Sequence, residues 1–125
     1  NNDPLTGNTS VFEKNLQVNQ DLTVSGDVDV AGEITAQDVT ETSSIDYKDN
    51  VTDIEPTLSK VLQLEPKRFE WKDDGEEDLG LIAEDVAEVF PDLVSYDEDG
   101  NPEGVKYSKM SAVLVQAIKD LANGR

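Results

Sequence analysis

Residues 15–38 read NLQVNQ, DLTVSG, DVDVAG and EITAQD, which are four consecutive units of six residues. The second and fourth positions of each unit are apolar, and Gly26 and Gly32 end the second and third units. Apolar residues at every second position are typical of a β-strand, and glycine favours a turn before the next strand. The repeat therefore predicts short β-strands separated by turns.

A single copy of this segment leaves its apolar side chains in water, because each unit is too short to cover them. We expect three parallel copies to wind around one axis as a triple β-helix-like fibre stem. The alternative is an antiparallel meander inside a globular domain. The side chains expected to face the shared axis, called the stem stripe below, are Leu16, Val18, Leu22, Val24, Val28, Val30 and Ile34.

The composition excludes several classes of function. The chain has 125 residues, with 28 acidic against 10 basic side chains and a formal net charge of -18. A field of that sign repels phosphate backbones and anionic lipid heads, so we expect neither nucleic-acid binding nor membrane insertion. Cysteine and histidine are absent from the sequence, which removes thiol nucleophiles and thiolate or imidazole metal ligands. We expect no cofactor and no metal ion.

The start of the chain, at Asn1, shows neither a methionine nor a signal-peptide pattern. No apolar run approaches the roughly 18 residues that a membrane-spanning helix needs. We therefore expect a soluble piece of a longer protein.

The character of the sequence changes after the polar segment 40–44, where a mixed α and β pattern begins. It predicts helices at 57–64 and 83–89, with Pro91 ending the second, and a solvated loop over the acidic run 73–78. The Asp99-Gly100 pair predicts a tight hairpin turn, which we favour over a calcium loop because the full ligand pattern is missing. The predicted strands are 68–72, 93–96 and 105–107, and residues 79–82 are predicted to begin a buried strand or a strand-to-helix entry.

A last helix is predicted from Ser108 onward. Met110, Leu114, Ala117 and Leu121 follow one another at spacings of four, three and four. This spacing fits either a short coiled coil between chains or an amphipathic helix packed on its own domain.

Five stretches of the second region follow one another in a fixed order: SSIDYKDN at 43–50, LEPKRFEW at 64–71, GLIAEDV at 80–86, FPDLV at 90–94 and VKYS at 105–108. Together they resemble the C-terminal intramolecular chaperone domain of phage tailspikes, tail fibres and endosialidases, a family that cuts itself with a Ser-Lys pair. The resemblance implies an α+β chaperone domain with a C-terminal helix at 43–125, behind a stem at 1–42, in a homotrimer.

The same resemblance implies the site. By position, Ser43 is the nucleophile, Lys48 is its base, and the cut falls between Thr42 and Ser43. Asp46 stands where the family usually has arginine, and Glu84 stands where glutamine is more usual, so both are expected to modulate the reaction.

Elementary chemistry agrees with this pairing, since a chain without Cys or His is left with a hydroxyl and a neutral lysine amine. A solvated lysine amine is protonated at neutral pH, so folding or trimer closure must desolvate it, and nearby carboxylates such as Asp46 and Asp49 oppose the neutral form. The alternative is that Ser43 caps a turn and Lys48 is a solvated surface charge.

Three functions follow as hypotheses. The first is a trimerising chaperone that releases itself once by autoproteolysis, and the second is a structural trimeric cap that does not cut. The third, a hexapeptide-repeat acyltransferase, is disfavoured because that class normally uses a histidine base. The first two place the chain in a virion tail fibre that is folded and processed in the host cytoplasm. Any host receptor is then expected to be bound through other parts of the full-length fibre.

Overall fold

The computed structural model describes residues 9–124 and divides the chain into two units, residues 1–44 and residues 45–125. The first eight residues of the predicted stem therefore lie outside the described part. Each unit is considered by itself below.

The first unit contains neither a helix nor a strand between residues 9 and 44. Bends recur at residues 13–14, 19–20, 25–26, 31–32 and 37. From Asn19 onward these bends occupy the fifth or sixth position of each repeat unit, so the backbone follows the six-residue period of the sequence. No backbone hydrogen bond joins two of residues 15–38. The period is thus present in one chain, whereas β-strands at these residues stay a prediction that needs a pairing partner.

In this unit, the exposed fraction of an apolar side chain depends on its position in the six-residue repeat. Leu16, Leu22, Val28 and Ile34, at the second positions, are 59–71% exposed, and Val18, Val24 and Val30, at the fourth positions, are 44–47% exposed. Every residue described in this unit is exposed. The stem stripe therefore has no cover within its own unit.

The second unit is a small α+β domain, as predicted. It opens with a 3-10 turn at Ile45–Tyr47, and a second 3-10 turn, Pro91–Leu93, follows the second helix. Its helices are α1 (Leu58–Val61), α2 (Ala83–Val89) and α3 (Tyr107–Ala122), and its strands are β1 (Lys67–Glu70), β2 (Glu77–Gly80), β3 (Val94–Tyr96) and β4 (Pro102–Val105).

The strands form two separate antiparallel hairpins. In the first, Lys67 of β1 lies opposite Gly80 of β2, and the indole Nε1 of Trp71 donates to Asp78 Oδ2 at 3.1 Å. In the second, β3 pairs with β4, and Asp97 Oδ1 accepts the N–H groups of Asp99 and Asn101 at 2.9 Å each. The hydrogen bond from the backbone of Asn101 is the main cause that lowers the pKa of Asp97. Together with Gly100, whose φ is +83°, this confirms the predicted hairpin turn.

The core is small and lies where α2, the second hairpin and α3 meet. Its buried residues are Val86, Leu93, Val94 and Met110. Half-buried side chains surround them, among them Leu81, Phe90 and Val113. The helix α2 is ended by Pro91, whose ring cannot continue it.

A buried carboxylate joins the start of the domain to its last helix. Asp120 of α3 has no exposed surface, and its Oδ2 accepts the N–H groups of Thr57 at 2.7 Å and Leu58 at 3.1 Å. The first N–H groups of a helix have no partner within the helix, and the side chain of Thr57, the N-cap residue of α1, does not bond to them. The Asp120 carboxylate, distant in sequence, caps α1 instead. The Thr57 hydroxyl donates instead to the Val113 carbonyl at 2.8 Å.

Several predicted boundaries need correction. Helix α1 spans only Leu58–Val61 rather than the predicted 57–64, because the N–H groups of Gln63 and Leu64 bond three residues back instead of four. The acidic run is a loop only as far as Glu76, since Glu77 and Asp78 pair with β1. Leu79 was expected in a buried strand but is 64% exposed. Tyr107 begins α3 rather than ending a strand.

We expect Asp120→Ala to lower the free energy of unfolding by about 1–3 kcal/mol, because two buried N–H groups lose their acceptor. Asp120→Asn keeps one acceptor oxygen and should fall between Asp120→Ala and the parent. Glu88→Ala removes an exposed helical carboxylate and should stay within about 0.5 kcal/mol of the parent. Urea unfolding at one fixed protein concentration measures all four chains. Equal losses in Asp120→Ala and Glu88→Ala would contradict the capping role.

Candidate functional site

The predicted cleavage site lies at the end of the first unit. Thr42 and Ser43 are exposed and belong to no helix or strand. An exposed peptide bond outside regular structure has no ladder of hydrogen bonds to break before its carbonyl can be attacked. The location therefore suits the predicted cut sterically.

The predicted base lies at the start of the second unit. Ile45, Asp46 and Tyr47 form the opening 3-10 turn, and the Lys48 N–H closes it by donating to the Ile45 carbonyl at 3.1 Å. The Lys48 side chain is exposed. The turn fixes the backbone that carries the amine and leaves the amine accessible.

The boundary between the two units falls between the serine and the lysine. Ser43 and Lys48 are thus each placed within their own unit, and the pairing of their side chains stays a prediction. Asp46, in contrast, shares the 3-10 turn with the backbone of Lys48 and is exposed as well.

Glu84 lies in the first turn of α2, where a negative charge interacts favourably with the helix N-terminus. It also lines a cavity of about 650 Å³ together with Trp71, Leu79 and Tyr107. The structure gives Glu84 this local role, and its predicted effect on the cut stays a prediction.

After Lys48 the backbone changes direction at Asn50 and then continues to Thr57, which is held by a hydrogen bond. Asn50 has a φ of +55°, in the left-handed region. Residues 51–57 belong to no helix or strand, and Thr57 is then held by Asp120. The lysine is therefore flanked by the 3-10 turn before it and by a left-handed residue two positions after it.

Two positioning contacts were missed by sequence reasoning. One is Asp120, whose signal was visible: a carboxylate in the last turn of a helix opposes the helix dipole, so its placement there needs another reason. The other is the Tyr107 hydroxyl, which accepts the Leu81 N–H at 2.8 Å and lies 2.7 Å from where a β-carbon on Gly80 would stand. Gly80 therefore permits this close approach.

The described residues contain no group of three or more acidic side chains arranged to hold a metal ion. Within the same residues, no helix combines the length and apolarity required to cross a membrane. A second cavity of about 430 Å³ lies beside α1, where the Lys60 amine stands 5.7 Å from the centre of the Phe90 ring. This contact is a cation–π pair within the domain.

Comparison with known families gives one match. Residues 43–95 match the model of a peptidase family described as "Chaperone of endosialidase". The match starts at Ser43 and ends in β3, so it includes the 3-10 turn, both strands of the first hairpin and α2. No curated protein matches the sequence significantly. Residues 43–95 are therefore similar to the chaperone-of-endosialidase family, which supports an intramolecular chaperone domain and suggests a peptidase-like one.

Proposed function

We propose that residues 43–125 form a trimerising chaperone that folds a β-repeat stem, residues 1–42, and then releases itself by cutting between Thr42 and Ser43. The observation that carries this proposal is the start of the family match at Ser43, the serine assigned as nucleophile from the sequence. The family boundary and the proposed cleavage site coincide.

The stem stripe supports assembly with identical chains. Seven apolar side chains at regular spacing are between 44% and 71% exposed. A contiguous apolar stripe of this kind marks an interaction surface. Because all repeat units carry the same pattern, a parallel copy in the same register meets matching side chains along its whole length. Pairing between chains also supplies partners for backbone groups that no hydrogen bond joins within residues 15–38.

The last helix, α3, also carries exposed apolar side chains that support assembly. Its buried residues, Met110, Ala117 and Asp120, pack on its own domain. A second group on α3 remains exposed, with Leu114, Ile118 and Leu121 at the spacing of one helical face and Val115 beside them. These four side chains are called the α3 apolar face. The buried and the exposed residues are neighbouring parts of one apolar stripe, so we propose that one edge of the stripe packs on its own domain and that the other edge meets neighbouring copies.

The proposed cut begins when the Ser43 hydroxyl attacks the Thr42 carbonyl carbon. Lys48, as the neutral amine, takes the hydroxyl proton and returns it to the Ser43 nitrogen as the peptide bond breaks, leaving an ester between Thr42 and the Ser43 oxygen. Water then hydrolyses the ester, giving a Thr42 carboxylate and a Ser43 residue with a free amine and hydroxyl. No oxidant, metal or cofactor enters this balance.

Assembly is proposed to precede the cut. The Lys48 side chain is exposed in a single chain, and an amine acts as a base only in its neutral form. Closure of neighbouring copies around the turn would desolvate the amine and favour its neutral form. The same order suits the fibre, because a stem cut from its chaperone after folding is trapped behind its unfolding barrier.

A non-cleaving structural cap is the second candidate. Asp46 favours it, since this exposed carboxylate shares a turn with the Lys48 backbone and stands where the resembling family usually has arginine. Both candidates place the trimer at the end of a virion tail fibre, folded in the host cytoplasm, with receptor binding left to other parts of the fibre.

For the cut, we expect Ser43→Ala and Lys48→Ala each to abolish cleavage while the trimer persists, because the first removes the nucleophile and the second the base. Intact mass by mass spectrometry reads the cut, and light scattering reads the trimer. Lys72→Ala, which removes another exposed lysine of the same domain, is the matched control and should cleave like the parent. Cleavage that continues in Ser43→Ala, or a fragment boundary elsewhere, would refute the assignment.

For the modulating carboxylate, we expect Asp46→Arg to speed cleavage by about tenfold, because it replaces a carboxylate in the turn that leads to Lys48 by a cation, and a nearby cation favours the neutral amine that acts as base. Asp53→Arg makes the same change in net charge five residues beyond Lys48 and should have a smaller effect. The time course of cleavage on denaturing gels compares them. Equal acceleration by both variants would assign the effect to net charge rather than to Asp46.

For the α3 apolar face, we expect the double variant Leu114→Ser and Ile118→Ser to weaken trimer association by at least about tenfold, because two apolar side chains lose a covered surface. Both residues are exposed in the single chain, so helix content by circular dichroism should change little. Ala112→Ser, at another exposed position of α3, is the control. An unchanged trimer in the double variant would remove α3 from the interface.

For the chaperone role, we expect residues 1–42 expressed alone to remain monomeric and without β structure, because so short a stem does not offset the entropy of association. The full chain should form the trimer under the same conditions. Circular dichroism and light scattering distinguish the two. A soluble, heat-resistant trimer of the stem alone would remove the chaperone role.

A further inference from the structure

One residue beyond the Ser43 and Lys48 pair stands out by its backbone. Among the non-glycine residues that the structure describes, Asn50 alone has a positive φ, +55°. The left-handed region is unfavourable for L-residues with a β-carbon, and Asn visits it more readily than most because its short amide can hydrogen-bond locally. This conformation occurs two positions after the proposed base.

The surroundings of Asn50 tie its conformation to Lys48. On the N-terminal side, the Lys48 N–H is held by the Ile45 carbonyl, so Lys48 ends a closed turn. On the C-terminal side, Thr57 is anchored by the buried carboxylate of Asp120 at 2.7 Å. Asn50 therefore lies directly between the closed turn that ends at Lys48 and the segment that leads to the anchored Thr57.

We propose that Asn50 is a positioning residue for the cut between Thr42 and Ser43, and that its left-handed backbone, rather than its amide side chain, directs the turn that presents Lys48. This inference rests on the proposed function, since it assigns Lys48 the part of base. Asn50 itself takes no part in proton transfer. Its contribution is to restrict residues 49–51 to one backbone conformation.

The test uses the full chain with Asn50→Gly, Asn50→Ala and Asn50→Val. Glycine adopts a positive φ without steric cost, so Asn50→Gly should cleave within about twofold of the parent. Alanine should slow cleavage by about tenfold and valine by more, because a β-carbon, and still more a β-branched side chain, disfavours this region. Asn123→Val places the same residue where φ is -94° and should leave the rate unchanged.

Two further readouts separate positioning from unfolding. Light scattering should give the same trimer for every variant. In a Ser43→Ala background, which keeps the chain uncut, amide exchange at Lys48 should match the parent in Asn50→Gly and become about tenfold faster in Asn50→Val, because the Lys48 N–H loses its hydrogen bond to the Ile45 carbonyl.

The outcomes distinguish this inference from the proposal on which it rests. A parent chain that is never cut, even as a trimer, overturns the proposed function and this inference together. A parent that cuts while Asn50→Gly is as slow as Asn50→Val overturns only this inference, because the side chain rather than the backbone would then be needed. Cleavage at the parent's rate in Asn50→Val overturns it as well.

Discussion

Apolar side chains that a single chain leaves uncovered are the constraint on which this structure depends. The domain at 45–125 buries only a few hydrophobic residues, chiefly Val86, Leu93, Val94 and Met110, and the first unit has no buried residue among those described. A domain of this size is marginal when it must stabilise itself alone. The α3 apolar face and the stem stripe lie in different units, and both are exposed to water in a single chain. An assembly that covers both surfaces would remove this exposure.

Asp120 shows how the small domain holds its shape before any such assembly. Its buried carboxylate binds the N–H groups that open α1, and this links the segment after Lys48 to the last helix. A helix of one turn is not stable by propensity alone, so α1 exists because this contact and its packing on α3 maintain it. The proposed order of events, in which the domain folds, the copies associate and the bond is cut, relies on a domain that is preformed around this link.

The sequence predicted the parts of the fold that local patterns encode. The six-residue period reappears as bends at regular positions, the Asp99-Gly100 turn closes the second hairpin, and α2 ends at Pro91 as expected. The family of residues 43–95 was also recognisable from its motifs. The cap from Asp120 and the contact of the Tyr107 hydroxyl with Leu81 were not foreseen, because they join residues 63 and 26 positions apart and leave no periodic trace. For the candidate site, sequence supplied Ser43 and Lys48 by motif, whereas the left-handed Asn50 required the backbone geometry.

The central claim is that three copies of this chain assemble through the stem stripe and the α3 apolar face. Sedimentation equilibrium of the uncut Ser43→Ala chain at micromolar concentration tests it most directly, because it gives the mass of the assembly without assuming its shape. The account predicts the mass of three chains, with more β structure by circular dichroism than the four short strands of the domain supply. A single-chain mass from a sample whose helical signal shows a folded domain would contradict it.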